Sequence, residues 1–268
     1  MKDFLDCEVV TTRQGARAVR DRLTGELMHP VVGPAVEAER LYVSPSRLRE
    51  RLSGEGEPLV LLDVGLGAGS NALAAFKASE ERTSGRVLEI VSFDRSTNAL
   101  EVALAEENAA AFGFEGEGLA AARALLATCT FETARTRWRL RLGALPDTLE
   151  GPADVVFWDP FSPRANPELW SFTAFSALRR ACRVGATVHT YSGATSTRSA
   201  LLLAGFAVGT GVPTGENKSA TQAALDPRDL EHPLDPRWLE RLARSSSPFP
   251  GDAPDDALER VRAAPQFR

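Results

Sequence analysis

A carboxylate and an aromatic ring lie close together where an apolar run ends, in DVVFWDPF at residues 154–161. Asp159 follows the run, and Pro160, which cannot extend a ladder of backbone hydrogen bonds, separates it from Phe161. A carboxylate can orient a neutral amine, and an aromatic face stabilises the positive charge that grows on the amine during alkylation. Asp159 and Phe161 therefore suit the catalytic site of an amine methylation. In the alternative interpretation, Asp159 caps a loop and Phe161 is a core residue.

Three glycines follow another apolar run, in LVLLDVGLGAGSNAL at residues 59–73. Gly65, Gly67 and Gly69 lack β-carbons, so the loop backbone can approach a ligand closely. The spacing differs from the GxGxxG of dinucleotide-binding folds, because Ser70 occupies the place of their last glycine. It fits S-adenosyl-L-methionine better, since that donor has no pyrophosphate for a helix N-terminus to hold. A tight strand-to-helix turn without a ligand is the alternative.

A second acid ends the next apolar strand, in VSFDRS at residues 91–96. Asp94 comes 25 positions after Gly69, and in this kind of fold an acid there lies beside the glycine loop. It can accept hydrogen bonds from two ribose hydroxyls. It can also cap the helix that begins near Thr97, and both roles can coexist.

The elements that position these residues alternate between strand and helix, which predicts a parallel sheet in an α/β fold. A β-hairpin is predicted at 8–23 and short helices near 36–39 and 46–52, ahead of the sheet. Strands are predicted at 59–64, 87–94, 137–142, 154–159, 186–192 and 206–211, and helices at 71–81, 99–112, 168–182 and 196–205. After Leu225 the chain is rich in Pro, Ser and charge, with one short helical pattern at 236–244, and predicts a loosely attached tail. The predicted organisation is an N-terminal hairpin and helical extension (1–55), a core (56–225) and a C-terminal tail (226–268).

Composition excludes several protein classes. With 268 residues and 43% hydrophobic content, the chain can bury the core of one α/β domain and a small appendage. Its three cysteines include no CxxC pair and its three histidines are scattered, so neither a disulfide framework nor a metal site is expected. Acids at the N-terminus and the lack of an apolar run of about 18 residues predict a soluble cytoplasmic protein without a membrane span.

The charge balance bears on nucleic-acid binding. The net charge of −5 and pI of about 5.4 argue against a surface that binds polyanions throughout. Two arginine groups could form local patches. They are the strand row Arg135, Arg137, Arg139 and Arg141, and the hairpin group Arg13, Arg17, Arg20 and Arg22. The strand row could instead belong to a charged outer strand that discourages edge pairing, and the hairpin group could be part of a solvated surface. His29 fits a hydrogen-bonded loop residue as well as a substrate contact.

Three stretches together resemble one family, the methyltransferase domain of the bifunctional tRNA 5-methylaminomethyl-2-thiouridine biosynthesis protein (MnmC) and its stand-alone DUF752-type relatives. TRQGARAVRDRLTGELMHPVVGPAVEAERLYV, residues 12–43, is similar to the leading hairpin of the family. DPFSPRANPELW, residues 159–170, is similar to its Asp-Gly-Phe-Ala-Pro-x-x-Asn-Pro-x-x-Trp signature. YSGATSTRSALLLAGFAV, residues 191–208, is similar to a later helix. The similarity spans about residues 8–225.

The resemblance implies a class I S-adenosyl-L-methionine-dependent methyltransferase fold, Rossmann-like with a mostly parallel seven-stranded sheet and an added N-terminal β-hairpin. It implies N-methylation of an amine such as the aminomethyl group of a modified wobble uridine in tRNA, with Asp159 at the amine. The implied donor contacts are Gly65, Gly67, Gly69, Asn71, Asp94 and Asp159. Asp63, Leu66, Arg95 and Gly143 complete the predicted cofactor site.

The chain also departs from the family pattern. Gly143-Ala144 stands where the family has Gly-Asp, so the adenine contact of that acid must be weaker or supplied otherwise. Pro160 replaces a glycine beside the amine site. Nothing after residue 225 could build the oxidase half of the bifunctional proteins.

Two other functions stay open. One is aminopropyl transfer, because relatives of spermidine synthase share the sheet and an Asp-Pro after the fourth strand. The other is a non-catalytic module that binds S-adenosyl-L-methionine, which Ala144 would favour. The acceptor could be tRNA or a small amine.

Overall fold

The computed structural model describes residues 6–12, 15–28, 33–145, 149–215 and 218–268. Contacts between residues divide the chain into two units. The first comprises Met1–Ala144 with Asp159–Phe161, and the second comprises Leu145–Trp158 with Ser162–Arg268. The predicted three-part organisation stays a prediction.

The first unit begins with the predicted β-hairpin. Strands β1 (Cys7–Thr11) and β2 (Arg17–Asp21) pair antiparallel, with Val9 opposite Val19. Ala18 and Val19 are both buried, and because consecutive side chains of a strand point to opposite faces, this part of β2 is covered on both. Arg17 Nη2 also donates to Asn108 Oδ1 at 2.9 Å, which ties the hairpin to the segment after α4 (Asn98–Ala103).

The sheet strands of the first unit follow the predicted βαβ order. They are β3 (Leu59–Val64), β4 (Leu88–Asp94), β5 (Thr130–Glu132) and β6 (Thr136–Leu142), in the spatial order β5-β6-β4-β3. Strand β3 is buried along its whole length, as its continuous apolar sequence predicts for a parallel strand covered on both faces. In β6, buried Thr136, Trp138 and Leu140 alternate with exposed arginines. The proposed outer position of β6 is wrong, because β5 pairs antiparallel along its far side.

Helices of the first unit surround these strands. They are α1 (Pro34–Ala38), α2 (Leu48–Ser53), α3 (Ser70–Glu80), α4 and α5 (Gly116–Thr128), with a π-helical turn at Glu39–Val43 and a 3-10 turn at Ala109–Phe112. The single helix predicted at 99–112 is wrong. Asn108 Nδ2 donates to the carbonyl of Val102 at 2.9 Å, so a side chain takes an acceptor that a continuing helix would use.

The second unit has its own strands and helices. The strands are β7 (Ala153–Trp158), β8 (Cys182–Thr190), β9 (Ala207–Gly215) and β10 (Lys218–Ala224), in the order β7-β8-β10-β9. The helices are α6 (Phe172–Ala181), α7 (Thr195–Leu203), α8 (Trp238–Arg244) and α9 (Ala257–Arg262), with 3-10 turns at Pro167–Trp170, Pro227–Asp229 and Pro265–Phe267. Strands β7 and β8 are parallel, whereas β10 runs antiparallel to both β8 and β9.

Two of these strands escape prediction from the sequence. With them, the described ranges hold eight strands besides the hairpin, where seven were expected. β5 has only three residues, and β10 has the sequence KSATQAA, which offers small and polar side chains instead of the β-branched and aromatic residues typical of strands.

The C-terminal segment, residues 226–268, is tied to other elements of the second unit. Asp252 accepts hydrogen bonds from the backbone N–H groups of Phe172 and Thr173, at 2.8 and 2.9 Å, and so caps α6. Gln266 bonds both the N–H and the C=O of Val208 in β9. Trp238 is buried and stacks on Phe267. The expectation of a loosely attached tail is therefore wrong, because Asp252 and Gln266 bond backbone groups of the core.

Two kinds of feature are missing from the described part of the chain. None of its helices is both long and apolar enough to cross a membrane. No group of three His, Cys, Asp or Glu residues within the described ranges is arranged to hold a metal ion.

Candidate active site

The glycine loop leaves β3 and enters α3 within a few residues. Gly65, Gly67 and Gly69 all have positive φ angles, of 86, 51 and 82°. Two loop amides, those of Gly65 and Leu66, donate to the carbonyl of Phe93 at the end of β4, at 3.0 and 3.1 Å. The loop is thereby fixed to both strands of its sheet, with its backbone in a form that favours glycine.

Gly65 and Asp159 are direct neighbours in the first unit. A β-carbon on Gly65 would lie 2.6 Å from the carbonyl oxygen of Asp159, closer than real β-carbons approach. The Asp159 amide donates to the carbonyl of Val64 at 2.8 Å, which holds the turn against the end of β3. The glycine loop and Asp159 therefore meet within the first unit.

Both oxygens of the Asp159 carboxylate accept a hydrogen bond from a distant part of the chain. The Tyr42 hydroxyl donates to Oδ1 at 2.6 Å, and Asn71 Nδ2 donates to Oδ2 at 2.6 Å. Tyr42 is 0% exposed and Asn71 3%. The structure thus brings Asn71 to Asp159. Tyr42 is a site residue that the sequence reasoning missed, and the signal available was only an aromatic residue in the family-like segment ERLYV.

Asp94 faces the same loop from the end of β4. Its carboxylate accepts from the amides of Gly67 at 2.8 Å, Arg95 at 2.7 Å and Ser96 at 3.3 Å. Burial raises the pKa of Asp94, and the three backbone donors oppose that rise. The Gly143 amide donates to the carbonyl of Asp94 at 3.0 Å, so Gly143 lies beside this corner of the site.

The polar groups around the loop fit S-adenosyl-L-methionine. Ser70 Oγ and Asn71 Oδ1 are buried at the start of α3 and have no hydrogen-bond partner among the described residues. Buried polar atoms are normally paired, so these two are available to a ligand. An ammonium group can donate to both oxygens, and the Asp94 carboxylate suits ribose hydroxyls. Asn71, Ser70, Asp94 and the loop backbone would together hold the donor.

The other predicted site residues have varied positions. Asp63 is 1% exposed, and its Oδ2 accepts from Ser92 Oγ at 2.7 Å, inside the sheet. Leu66 is buried, Arg95 is exposed and Phe161 is half-buried in the turn after Asp159. A donor contact by Asp63, Leu66, Arg95 or Gly143, and a substrate contact by Phe161, stay predictions.

The two arginine groups are largely occupied by acids. Arg137 pairs with Glu89 at 2.8 Å and with Glu132 at 3.0 Å, and Arg139 lies 3.8 Å from Glu89. In the hairpin, Arg20 and Arg22 both pair with Glu8. Arg13 and His29 lie outside the described residues. Both candidate arginine patches are therefore mixed in sign within the described residues.

Comparison with known proteins defines the class of this one. A family model described as S-adenosyl-L-methionine-dependent methyltransferase matches residues 121–226. Together with the α/β fold and the glycine loop, the match identifies the protein as an S-adenosyl-L-methionine-dependent methyltransferase, with S-adenosyl-L-methionine as its cofactor.

The particular relatives confirm the resemblance drawn from the sequence. The chain is 30% identical over 229 residues to the tRNA 5-methylaminomethyl-2-thiouridine biosynthesis bifunctional protein MnmC of Methylibium petroleiphilum, covering 82% of this chain and 35% of that protein. It is 31% identical over 237 residues to MnmC of Cupriavidus metallidurans, covering 81% and 34%. It spans about a third of the length of these curated relatives.

A solved structure supports the fold over nearly the whole chain. The crystal structure of MNMC2 from Aquifex aeolicus matches with a TM-score of 0.73 and 25% sequence identity, and covers 97% of this chain and 84% of that chain. The predicted class I methyltransferase fold with an N-terminal hairpin is confirmed.

Proposed function

We propose that the protein methylates an amine, and that this amine is the aminomethyl group of a modified wobble uridine in tRNA. The observation that carries the proposal is the Asp159 carboxylate, held by Tyr42 and Asn71 directly beside Gly65 of the donor loop. The substrate is taken from the relatives, which are named for 5-methylaminomethyl-2-thiouridine biosynthesis in tRNA. Because the chain spans a third of their length, only the methyl-transfer part of their activity is proposed.

The chemistry asks little of the protein beyond position. S-adenosyl-L-methionine, when bound, supplies a methyl group on a sulfonium. The amine nitrogen forms a bond to the methyl carbon, the carbon–sulfur bond breaks with its electron pair going to sulfur, and the nitrogen then loses a proton to solvent. Asp159 accepts an N–H of the neutral amine, which directs the nitrogen lone pair at the methyl carbon. Phe161, two residues along the turn, is proposed to stabilise the growing charge.

The acidic charge favours a second acceptor, a small amine. The net charge of −5 and the acid-paired arginines of β6 provide little free positive charge for RNA phosphates. A small amine needs none of it, since Asp159 alone would recognise the N–H group. The predicted cytoplasmic location goes with the tRNA proposal and stays a prediction.

Transfer of labelled methyl groups from S-adenosyl-L-methionine tests the acceptor. The substrate is tRNA whose wobble uridine carries an aminomethyl group, and the matched control is the same tRNA already methylated at that nitrogen. Label should enter the first tRNA and not the second. Transfer to small amines with neither tRNA labelled would establish the second candidate, and no transfer to any amine would overturn the proposal.

Calorimetry separates methyl transfer from aminopropyl transfer. The two donors differ by the carboxylate of the methionine moiety, so S-adenosyl-L-methionine should bind more tightly than its decarboxylated analogue. A preference for the decarboxylated analogue would favour the aminopropyltransferase alternative.

A further inference from the structure

We infer that Tyr42 is a positioning residue that sets the orientation of the Asp159 carboxylate. Its hydroxyl donates to Oδ1 at 2.6 Å and has no exposed surface. The catalytic consequence rests on the proposed function, whereas the structural consequence does not. Tyr42 lies 117 residues before Asp159 in sequence and was absent from the predicted site.

Two donors on different oxygens fix a carboxylate in its plane. Asn71, in the first turn of α3, donates to Oδ2 at 2.6 Å while Tyr42 donates to Oδ1. Rotation about the Cβ–Cγ bond of Asp159 would stretch both hydrogen bonds at once. Hydrogen bonds to an ionised acceptor are short and strong, and they favour the charged form. The two donors therefore hold the carboxylate in one orientation toward the amine.

The local backbone explains how Tyr42 reaches this position. It lies in the π-helical turn Glu39–Val43, where the Ser44 amide donates to the carbonyl of Glu39 at 2.9 Å, five residues back. Such turns are rare and are found frequently at functional sites. Tyr42 and Val43 are both buried in this turn, and a buried tyrosine hydroxyl needs a partner. Asp159 provides it.

Removing the Tyr42 donor should loosen the hold on the carboxylate at Oδ1. In Tyr42→Phe the ring remains and only the hydroxyl is lost, so the core packing is preserved. Oδ1 then has one donor fewer, and the carboxylate can turn about its bond to Asn71. The amine would still bind, but its lone pair would be aimed less well at the methyl carbon. The loss should therefore fall on kcat more than on KM.

Steady-state kinetics of Tyr42→Phe on the wild-type acceptor tests the catalytic part. The expected result is a fall in kcat of about 10- to 100-fold, the range for losing one hydrogen bond to a charged group, with the donor Kd within about twofold. Val43→Ala is the matched control, because it perturbs the same buried turn and keeps the hydroxyl. It should retain kcat within about threefold. An unchanged kcat in Tyr42→Phe, or an equal fall in Val43→Ala, would overturn the inference.

Crystal structures of the wild type and Tyr42→Phe test the positioning part without turnover. The Asp159 carboxylate is expected to rotate away from its wild-type plane in the variant and to keep that plane in Val43→Ala. An unchanged carboxylate in Tyr42→Phe would overturn the inference. If the wild type methylates no amine, the proposed function fails, and this structural comparison still decides the role of Tyr42.

Discussion

The donor loop, Gly65–Gly69, and the acceptor turn, Asp159–Phe161, are adjacent in the first unit, but backbone groups form the first and side chains form the second. The loop, Gly65–Gly69, is made of backbone, with positive φ angles at all three glycines and amides bonded to the end of β4. The acceptor turn is made of side chains, because Asp159 is held by Tyr42 and Asn71 from far along the chain. A backbone site is damaged by an added atom, whereas a side-chain site is damaged by a removed one.

The first way to break this comparison removes the acceptor carboxylate. Asp159→Ala should lower kcat by at least about 100-fold, because the amine loses its orienting group, while the donor loop remains intact. Labelled-methyl kinetics and donor calorimetry measure the two effects separately. Asp154→Ala is a matched control, since that carboxylate precedes Asp159 in the same sequence run but pairs with Arg183 at 2.9 Å. Turnover within a few-fold of wild type in Asp159→Ala would contradict the amine-orienting role.

The second way to break the comparison adds one carbon to the donor loop. In Gly65→Ala the β-carbon would meet the Asp159 carbonyl at 2.6 Å, at a φ of 86° that already disfavours alanine. Gly205→Ala is the control, because Gly205 has a φ of 88° and nothing within 4 Å of its β-carbon. Both should lose about 1–2 kcal/mol of unfolding free energy from the backbone. Gly65→Ala should lose about 1–3 kcal/mol more from overpacking, measured by urea unfolding. Equal losses would mean that the close approach to Asp159 has no energetic weight.

The third prediction concerns donor binding by Asp94 and its dependence on pH. If its carboxylate binds the ribose hydroxyls, Asp94→Asn should weaken donor binding by about tenfold, the range for hydrogen bonds to a charged group. Because burial raises the pKa of Asp94, protonation should weaken donor binding at a higher pH than for an exposed aspartate. Calorimetry from neutral to mildly acidic pH measures this loss, which Asp94→Asn should lack. A donor affinity identical in both proteins at neutral pH would rule out the ribose role.

The stability effect of the same group has the opposite sign. A carboxyl whose pKa is raised in the folded state stabilises the fold below its unfolded pKa and loses that contribution as pH rises through the folded value. The free energy of unfolding should therefore show a falling step with rising pH in the wild type. Asp94→Asn should remove the step, as urea unfolding across the same pH range would show.

The smallest expected effect concerns the arginine row of β6. Arg137 is about half exposed and paired with Glu89 and Glu132, so Arg137→Ala should leave the free energy of unfolding almost unchanged, because exposed ion pairs contribute little to stability. It should change the KM for tRNA by less than about threefold, because those acids already neutralise the side chain. A tenfold rise in the KM for tRNA would identify the row as an RNA contact.

The donor loop was predictable from the sequence because its physical cause is local. Three glycines directly after an apolar strand favour a turn with positive φ angles, and the acid that ends β4 follows from the βαβ pattern. The predicted boundaries of β3 agree with the structure, since a continuous apolar run defines a buried strand.

The acceptor turn was only half predictable. Asp159 could be recognised as a carboxylate after a predicted strand. Its partner Tyr42 lies in a π-helical turn, which no pattern of residue spacing in the sequence predicts. Polar contacts also explain the wrong expectations elsewhere, since Asn108 divides the helix predicted at 99–112 and Asp252 and Gln266 attach the tail. Long-range side-chain pairing leaves no periodic trace in the sequence.

A crystal structure with S-adenosylhomocysteine, the demethylated product of the donor, tests the central claim most directly. The methionine portion should lie against Gly65–Gly69, the ribose hydroxyls should bond to Asp94, and the Asp159 carboxylate should face the sulfur. A ligand bound away from the glycine loop, or an Asp159 carboxylate turned away from the sulfur, would contradict the proposed active site.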